Sequence, residues 1–509
     1  MDSTHKNDTN KMKTKSTFLL FLLTAFSLCA FAQADPAASD GRAKREREIR
    51  RYVEELEKDS LMNTTSWSVV IRNVKTGETL AERNPSVSLA GASITKLLTT
   101  GSALASLGGD YAYTTRLEYS GEIVDSTLYG TLYVVGGGDP TLGSDYDKFL
   151  PGIDSVFSVW KRAVNAAGIA RVEGYLVADS RYFTLEPMIS SWSWDDADTY
   201  YGTGVLGLSF FENKCFLGFE PSDTLGGPVR LSSVFPETPG LRAVERAVTV
   251  EGRSNDLWLS ASPLHPLEHF VTGTLGKDRG CVTETGANRA AGLSLLREFE
   301  KYLSAGRGDM NVEYALWDTY TPAVDTLTPR TTILEYRSPA LRTIASVTNK
   351  YSDNMYAETI FRTMGKLLGG NDSRSASRRV ELAVLDSIAP GSETLNLQDG
   401  SGLSRMSFLN AGYYADFLCG MYRTEAFGDF FASLAVPGGE GTFKNTIRDC
   451  PTRTNLHLKS GTLSGVRGLA GYSSNGDELL CFAIMVNRYH SVTPISQRLN
   501  RLLELISAY

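Results

Sequence analysis

A mixed α/β (α+β) fold, in which one domain is interrupted by a long, mostly β insert, is what the sequence predicts, and three observations predict it. Hairpin patterns stand near both ends of the chain and flank helical ones. A middle stretch, residues 110–326, changes texture to short alternating strands separated by Gly, Pro and Asp turns. And 509 residues, 42% of them hydrophobic, bury a large core but exceed one compact unit.

The elements follow in order. Lys11, Lys13 and Lys15 precede an apolar run from Phe18 to Phe31 that ends in Ala30-Phe31-Ala32, a small-x-small cleavage site. Residues 1–32 therefore read as a signal peptide, with the mature chain starting near Gln33 and exported to the periplasm. The run is shorter than the roughly 20 residues that span a bilayer. Cys29 raises lipid attachment, against which the bulk of Leu28 stands. No later stretch has transmembrane length, so the mature chain is expected to be soluble, in an oxidising compartment. Of the 6 cysteines, Cys215, Cys281, Cys419, Cys450 and Cys481 lie beyond the leader, without a C-x-x-C pair and in a number that cannot pair completely.

Ala43 to Lys58 has the Arg/Glu pairs of a solvated amphipathic helix. Ser66–Val74 and Thr79–Glu82 form a hairpin about the turn Lys75-Thr76-Gly77-Glu78, leading into Ala90-Gly91-Ala92-Ser93 and a helix that Gly108 and Gly109 end. In the insert the strands are Thr115–Tyr119, Leu128–Val135, Val172–Ala178, Val248–Glu251 and Leu257–Ala261. Thr331–Tyr336 is a further strand, after which Leu341–Val347 and Asn354–Leu368 read as helices of the resumed main fold. The chain ends in a hairpin, Val466–Tyr472 and Glu478–Val486, and a helix after Pro494 with Ile495, Leu499, Leu502 and Ile506 on one face. The division is residues 43–109 and 327–509 for the main domain and 110–326 for the insert, of one or two domains. A net charge of −7 lacks the basic balance by which proteins neutralise phosphates, which excludes nucleic acid as an expected partner.

Chemistry is concentrated in three short motifs, S-x-x-K, S-x-N and K-[ST]-G. Each recurs: S-x-x-K at Ser3, Ser93 and Ser158, S-x-N at Ser352 and Ser473, K-[ST]-G at Lys75 and Lys459. Requiring that order along the mature chain leaves Ser93 or Ser158, then Ser352 and Lys459. Ser158 lies inside a helical run of the insert, whereas Ser93 opens a helix after a small-residue turn where a nucleophile is reachable. The plain structural reading of Ser93 is an N-cap.

The chemistry explains the spacing. Residues i and i+3 share a helix face, so Lys96 stands one turn from Ser93. Lys96 serves as a base only if burial and a second cation, Lys459, depress its pKa. Ser352 is placed to relay a proton to the leaving amine, and Asn354 to hold both Lys96 and the substrate backbone. Lys459, Ser460, Gly461 and Thr462 supply a cation and hydroxyls for a terminal carboxylate, Gly461 letting the strand approach the substrate.

Longer stretches also match: Ala92-Ser93-Ile94-Thr95-Lys96; Leu132 to Leu142 around Gly136-Gly137-Gly138-Asp139-Pro140; Tyr351-Ser352-Asp353-Asn354-Met355; Asp399-Gly400-Ser401-Gly402-Leu403-Ser404-Arg405; and Lys459-Ser460-Gly461-Thr462-Leu463-Ser464-Gly465. On these the chain, over residues 45–509, resembles the class C low-molecular-mass penicillin-binding proteins, the D-Ala-D-Ala carboxypeptidase/endopeptidases. Ser460 stands where many of these have Thr, which keeps the hydroxyl.

The resemblance implies a serine β-lactamase/transpeptidase-like domain, an antiparallel sheet flanked by helices, split between Ser93 and Ser352. It implies peptidoglycan stem peptides as substrates, an acyl-enzyme on Ser93, an oxyanion hole from the backbone N–H groups of Ser93 and Thr462, and β-lactams as covalent inhibitors. It requires no metal and no cofactor. Two rivals stand beside it: a β-lactamase or esterase on the same domain, and a non-catalytic peptidoglycan-binding scaffold.

Other signals are set aside. His265-Pro266-Leu267-Glu268-His269 has a zinc-peptidase spacing, but Pro266 interrupts the helix it needs and a third ligand is missing. Gly136-Gly137-Gly138-Asp139 lacks the Lys-Ser/Thr of a phosphate loop. No G-x-S-x-G elbow is present, and His457, two residues before Lys459, reads as a groove-edge or structural residue. Trp192-Ser193-Trp194-Asp195-Asp196 through Tyr200-Tyr201-Gly202 is expected to pack between domains or to touch the peptide stem.

Overall fold

In the computed structural model the described residues are 36–146, 148–186, 188–262, 265–306, 310–320 and 328–509. The leader expected over residues 1–32 lies outside them. The chain divides into residues 1–48 and 49–509. Helix α1 spans Pro36–Lys58, starting earlier than its charge pairs predict.

One antiparallel sheet joins the two ends of the chain. Strands β1 (Ser66–Asn73) and β2 (Thr79–Arg83) meet β3 (Leu456–Leu463), β4 (Val466–Asn475) and β5 (Glu478–Asn487) in the order β3-β4-β5-β1-β2. β1 pairs with β5 along its whole length, Ser66 opposite Asn487 and Asn73 opposite Leu480. Alternate residues of β1 serve two cores: Val69 and Ile71 pack behind the sheet with Ile49, Val53 and Leu56 of α1 and with Ile495, Leu499, Leu502 and Ile506 of the C-terminal helix, while Val70 packs in front. A sheet covered on both faces explains why β5 is apolar almost throughout instead of alternating.

The front layer consists of α2 (Thr95–Leu107), α3 (Leu341–Tyr351), α4 (Asn354–Leu368), α5 (Arg374–Ile388), α6 (Ala411–Met421) and α7 (Phe427–Ser433); the C-terminal helix behind the sheet, Val492–Ser507, is α8. Leu97 and Leu98 of α2, Ile344 of α3, Tyr356 and Ile360 of α4 and Phe417 of α6 share one core with Ala470 and Met485 of the sheet.

The insert is mostly β, with two helices packed on its largest sheet. Its largest sheet has the order Asn311–Trp317, Arg171–Asp179, Thr127–Val135, Thr114–Val124, Thr331–Arg337. The first three strands run parallel to one another, the third is antiparallel to Thr114–Val124, and helix Ile153–Ala166 makes one crossover. Val156, Phe157, Trp160 and Val164 recur at helical spacing and bury against this sheet beside Leu295 and Phe299 of a second helix, Ala291–Ser304, which sequence reasoning missed. Thr331–Arg337, expected to open the resumed main domain, pairs with Thr114–Val124. The chain leaves and re-enters the main fold side by side, where Ser338 N donates to Tyr113 O at 3.0 Å. Two smaller antiparallel or mixed sheets complete the insert.

Candidate active site

Ser93 lies in a 3₁₀ turn, Ala92–Ile94, that runs directly into α2. Ala92 adopts φ +49°, a left-handed conformation that costs a non-glycine residue about 1–3 kcal/mol and persists where the surroundings impose it. Thr95 Oγ1 donates to the Ala92 carbonyl at 2.8 Å. Ser93 is not the N-cap of α2, a position held by Ile94; its hydroxyl accepts instead from Lys96 Nζ at 2.9 Å.

Lys96 is fully buried, and its Nζ also donates to Asn354 Oδ1 at 2.6 Å and to the Ser401 carbonyl at 2.8 Å. Burial lowers its pKa to about 8, against the opposing pull of Asp399, Asp353 and Glu358. Lys459, also fully buried, is pushed well below its ordinary value by burial and then by the cations Lys96 and Arg467. Its Nζ donates to Ser352 Oγ at 2.8 Å and to the Ser460 carbonyl at 2.6 Å.

Ser352 ends α3 in a left-handed conformation, φ +64°, which turns the chain so that Asn354 opens α4 beside it. Asp353 caps α4 by accepting from Tyr356 N at 3.0 Å, and Tyr146 of the insert donates to its other oxygen at 3.1 Å. Asn354 uses Oδ1 for Lys96, while Nδ2 donates to the Tyr201 carbonyl at 2.8 Å. One of its two amide hydrogens, expected to serve the substrate, is thus directed at the insert.

β3 is the edge strand beside the Ser93 turn. A Cβ on Gly461 would come within 2.5 Å of the Gly91 carbonyl and 2.9 Å of the Ser93 and Ile94 amides. The glycine is therefore needed for contact with the Ser93 turn, where the motif alone suggests contact with the substrate. Ser460 Oγ donates to Thr442 Oγ1 at 3.2 Å, and the exposed Thr462 accepts from Arg467.

Sequence reasoning missed the loop that supports Lys96. Asp399 is completely buried and accepts from Ser404 N at 2.7 Å, Gly402 N at 3.2 Å, Ser407 Oγ at 3.1 Å and Trp192 Nε1 at 2.9 Å. Ser401 N donates to Glu358 Oε1 at 2.8 Å, and Arg374 pairs with Glu358 and with Glu186 of the insert. Together these hold the Ser401 carbonyl on Lys96. Gly402, at φ +75°, sits where a Cβ would reach 2.0 Å from the Ala92 carbonyl. The Asp399 to Arg405 stretch is visible as a motif, but a main-chain carbonyl leaves no trace in residue identity.

The other candidates lie apart. Ser158 lies on the insert helix Ile153–Ala166, where its Oγ donates to Ser155 O, while Lys161 donates to Tyr302 O. Glu268 and His269 are on a strand, Glu268 paired with Arg242 and the buried His269 bonded to Asp198 at 2.8 Å. His457 stacks on Phe431, ring centroids 4.0 Å apart. Trp192 and Tyr201 bridge insert and main fold through the bonds to Asp399 and Asn354. No described helix is long and apolar enough to cross a membrane.

A serine hydroxyl against a buried lysine, with a second serine and lysine facing them on a split sheet-and-helix domain, defines a serine-type acyl-transfer enzyme. Comparison with known proteins agrees with that class. The chain belongs to the D-Ala-D-Ala carboxypeptidase 3 (S13) family, whose model matches residues 49–504, and is a serine-type D-Ala-D-Ala carboxypeptidase. It is similar to the D-alanyl-D-alanine carboxypeptidase of Actinomadura sp. (strain R39), 27% identical over 491 residues that cover 91% of this chain and 85% of the relative. Penicillin binding protein 4 (dacB) from Haemophilus influenzae shares the fold, with a TM-score of 0.73 at 19% identity, covering 91% of this chain and 99% of that one. The same protein complexed with a β-lactam gives 0.68 at 18%, covering 90% and 98%.

Proposed function

We propose that Ser93 is the nucleophile by which this protein cleaves D-Ala-D-Ala and cross-linked stem peptides of peptidoglycan, as carboxypeptidase and endopeptidase. The observation that supports this most is the environment of Lys96. Its two other partners, Asn354 Oδ1 and the Ser401 carbonyl, accept only. A neutral amine gives its two hydrogens to them and turns its lone pair to the Ser93 hydroxyl. Burial favours that neutral form.

In the proposed reaction the Ser93 proton passes to Lys96 as Oγ attacks the penultimate D-Ala carbonyl. The backbone N–H groups of Ser93 and Thr462 receive the oxyanion. The C–N bond breaks as the departing amine takes the proton held by Lys96, relayed through Ser352, which is in contact with Lys459, and Lys96 is left neutral. Water then attacks the Ser93 ester, Lys96 takes its proton and returns it to Ser93 Oγ as the ester C–O bond breaks, and the shortened peptide leaves as the acid. Lys459, Ser460 and Thr462 bind the terminal carboxylate, Gly461 lets their strand reach the nucleophile turn, and Asn354 orients Lys96 and offers its remaining amide hydrogen to the substrate. β-Lactams acylate the same serine.

The wider reading has residues 1–32 as a cleaved leader that sends the protein to the periplasm, residues 43–109 and about 338–509 as the catalytic domain, and the intervening residues, 110 to about 337, as the insert. N-terminal sequencing of the exported protein tests the first part. Intact-protein mass spectrometry with benzylpenicillin, beside Ser93→Ala, and a D-Ala release assay on a stem pentapeptide test the chemistry. A stable adduct on Ser93 with D-Ala release is expected. An adduct that clears within seconds would mark a β-lactamase, and neither adduct nor release from folded protein a binding scaffold.

A further inference from the structure

Arg467 is a guanidinium with no anion beside it among the described residues. It stands on β4 directly opposite Thr462 of the edge strand β3, so the two side chains share a face, and it donates to Thr462 Oγ1. Its Nε is buried and has no hydrogen-bond partner. Tyr489, whose hydroxyl donates to the Val466 carbonyl, and Lys459 are the titratable groups near it among the described residues; no carboxylate acts on it, and burial depresses its pKa. It is close enough to Lys459 to repel that ammonium.

A half-buried guanidinium with an idle donor is costly to keep, because desolvation goes uncompensated. Guanidinium donors form a fork matched to a carboxylate, which an ammonium does not reproduce. Thr462 is exposed at the strand edge beside Ser93. An anion seated on Thr462 would meet Arg467 from the same side.

We infer that Arg467 binds the terminal carboxylate of the substrate together with Thr462, and so sets the preference for peptides that end in a free acid. The inference rests on the reading of Ser93 as nucleophile. A neutral C-terminal amide offers the guanidinium a far weaker partner, so the acid-over-amide preference is the quantity Arg467 controls.

The test compares kcat/KM for a stem peptide ending in D-Ala-D-Ala with that for the same peptide ending in D-alaninamide, in the wild type, Arg467→Gln and Arg467→Lys. The acid-to-amide ratio is expected to fall about ten- to a hundred-fold in Arg467→Gln, the range for a hydrogen bond to a charged group, with the loss on the acid lying mainly in KM. Arg467→Lys, which keeps the cation and loses the fork, should fall between, and carries the test alone if the glutamine variant does not fold. An unchanged ratio, whether both rates drop together or neither moves, overturns the inference and leaves Ser93 untouched. Wild-type protein that neither forms a benzylpenicillin adduct nor releases D-Ala overturns the nucleophile reading, and this inference with it.

Discussion

The indole of Trp192 donates to the carboxylate of Asp399 at 2.9 Å, tying the insert to the loop that presents the Ser401 carbonyl to Lys96. Both residues are buried. Trp192→Phe keeps most of the packing and deletes the donor, so it is expected to cost about 1–3 kcal/mol in urea unfolding and to lower kcat for D-Ala release several-fold by loosening Lys96. Unchanged kcat in a destabilised variant would show that the bond serves the insert and not the base.

The protonation of Lys96 sets the sign of the pH dependence. In the proposed reaction Lys96 is the base and must be neutral, and burial has brought its pKa to about 8. Acylation should therefore slow as the pH falls below about 8 and level off above it, measured as the rate of benzylpenicillin adduct formation across that pH. Lys96→Arg, which stays protonated throughout, should lose about 10²–10⁴-fold and the pH profile with it.

Gly461→Ala tests the close approach of β3 to the nucleophile turn. The added methyl meets the Gly91 carbonyl at 2.5 Å. Backbone on both sides has to move, at a cost of about 1–3 kcal/mol, and the Ser93 turn is displaced. Denaturant unfolding and adduct formation should both suffer, and a fully active, fully stable variant would refute the contact.

Glu381 sits beneath the site, fully buried, with Oε1 accepting from Thr99 Oγ1 at 2.9 Å and Oε2 without a partner. Burial, reinforced by Glu358 and Asp399, pushes its pKa from 4.5 up to about 8. Because the folded value is the higher one, the native state holds the proton that the unfolded chain has released, and stability declines as the pH rises from about 4.5 to about 8. The slope contributed by one such group is at most about 1.4 kcal/mol per pH unit. Glu381→Gln should flatten that decline in urea titrations across this range and leave stability below it almost unchanged.

Much of this is legible in residue order and spacing. The succession of Ser93, Ser352 and Lys459 singles out one set of motifs, and helical spacing puts Lys96 on the face of Ser93, because residue type and short-range periodicity are local properties of a chain. The hairpins at the two ends are readable for the same reason. The parallel strands of the insert are not, since a crossover strand is as apolar as any buried segment and its partner is set by distant packing. Nor is the pairing of Thr331–Arg337 with Thr114–Val124, or the helix at Ala291–Ser304.

By itself the sequence determined the chemistry on offer: a serine, two lysines, an asparagine and a strand of small polar residues in a fixed order. Tertiary structure alone decided what state they are in. Burial depresses both Lys96 and Lys459, the Asp399 loop brings a carbonyl to Lys96, and Gly461 lies against the Ser93 turn with no room for a side chain. Desolvation and close contact depend on which distant segments meet, and that is a property of the folded chain.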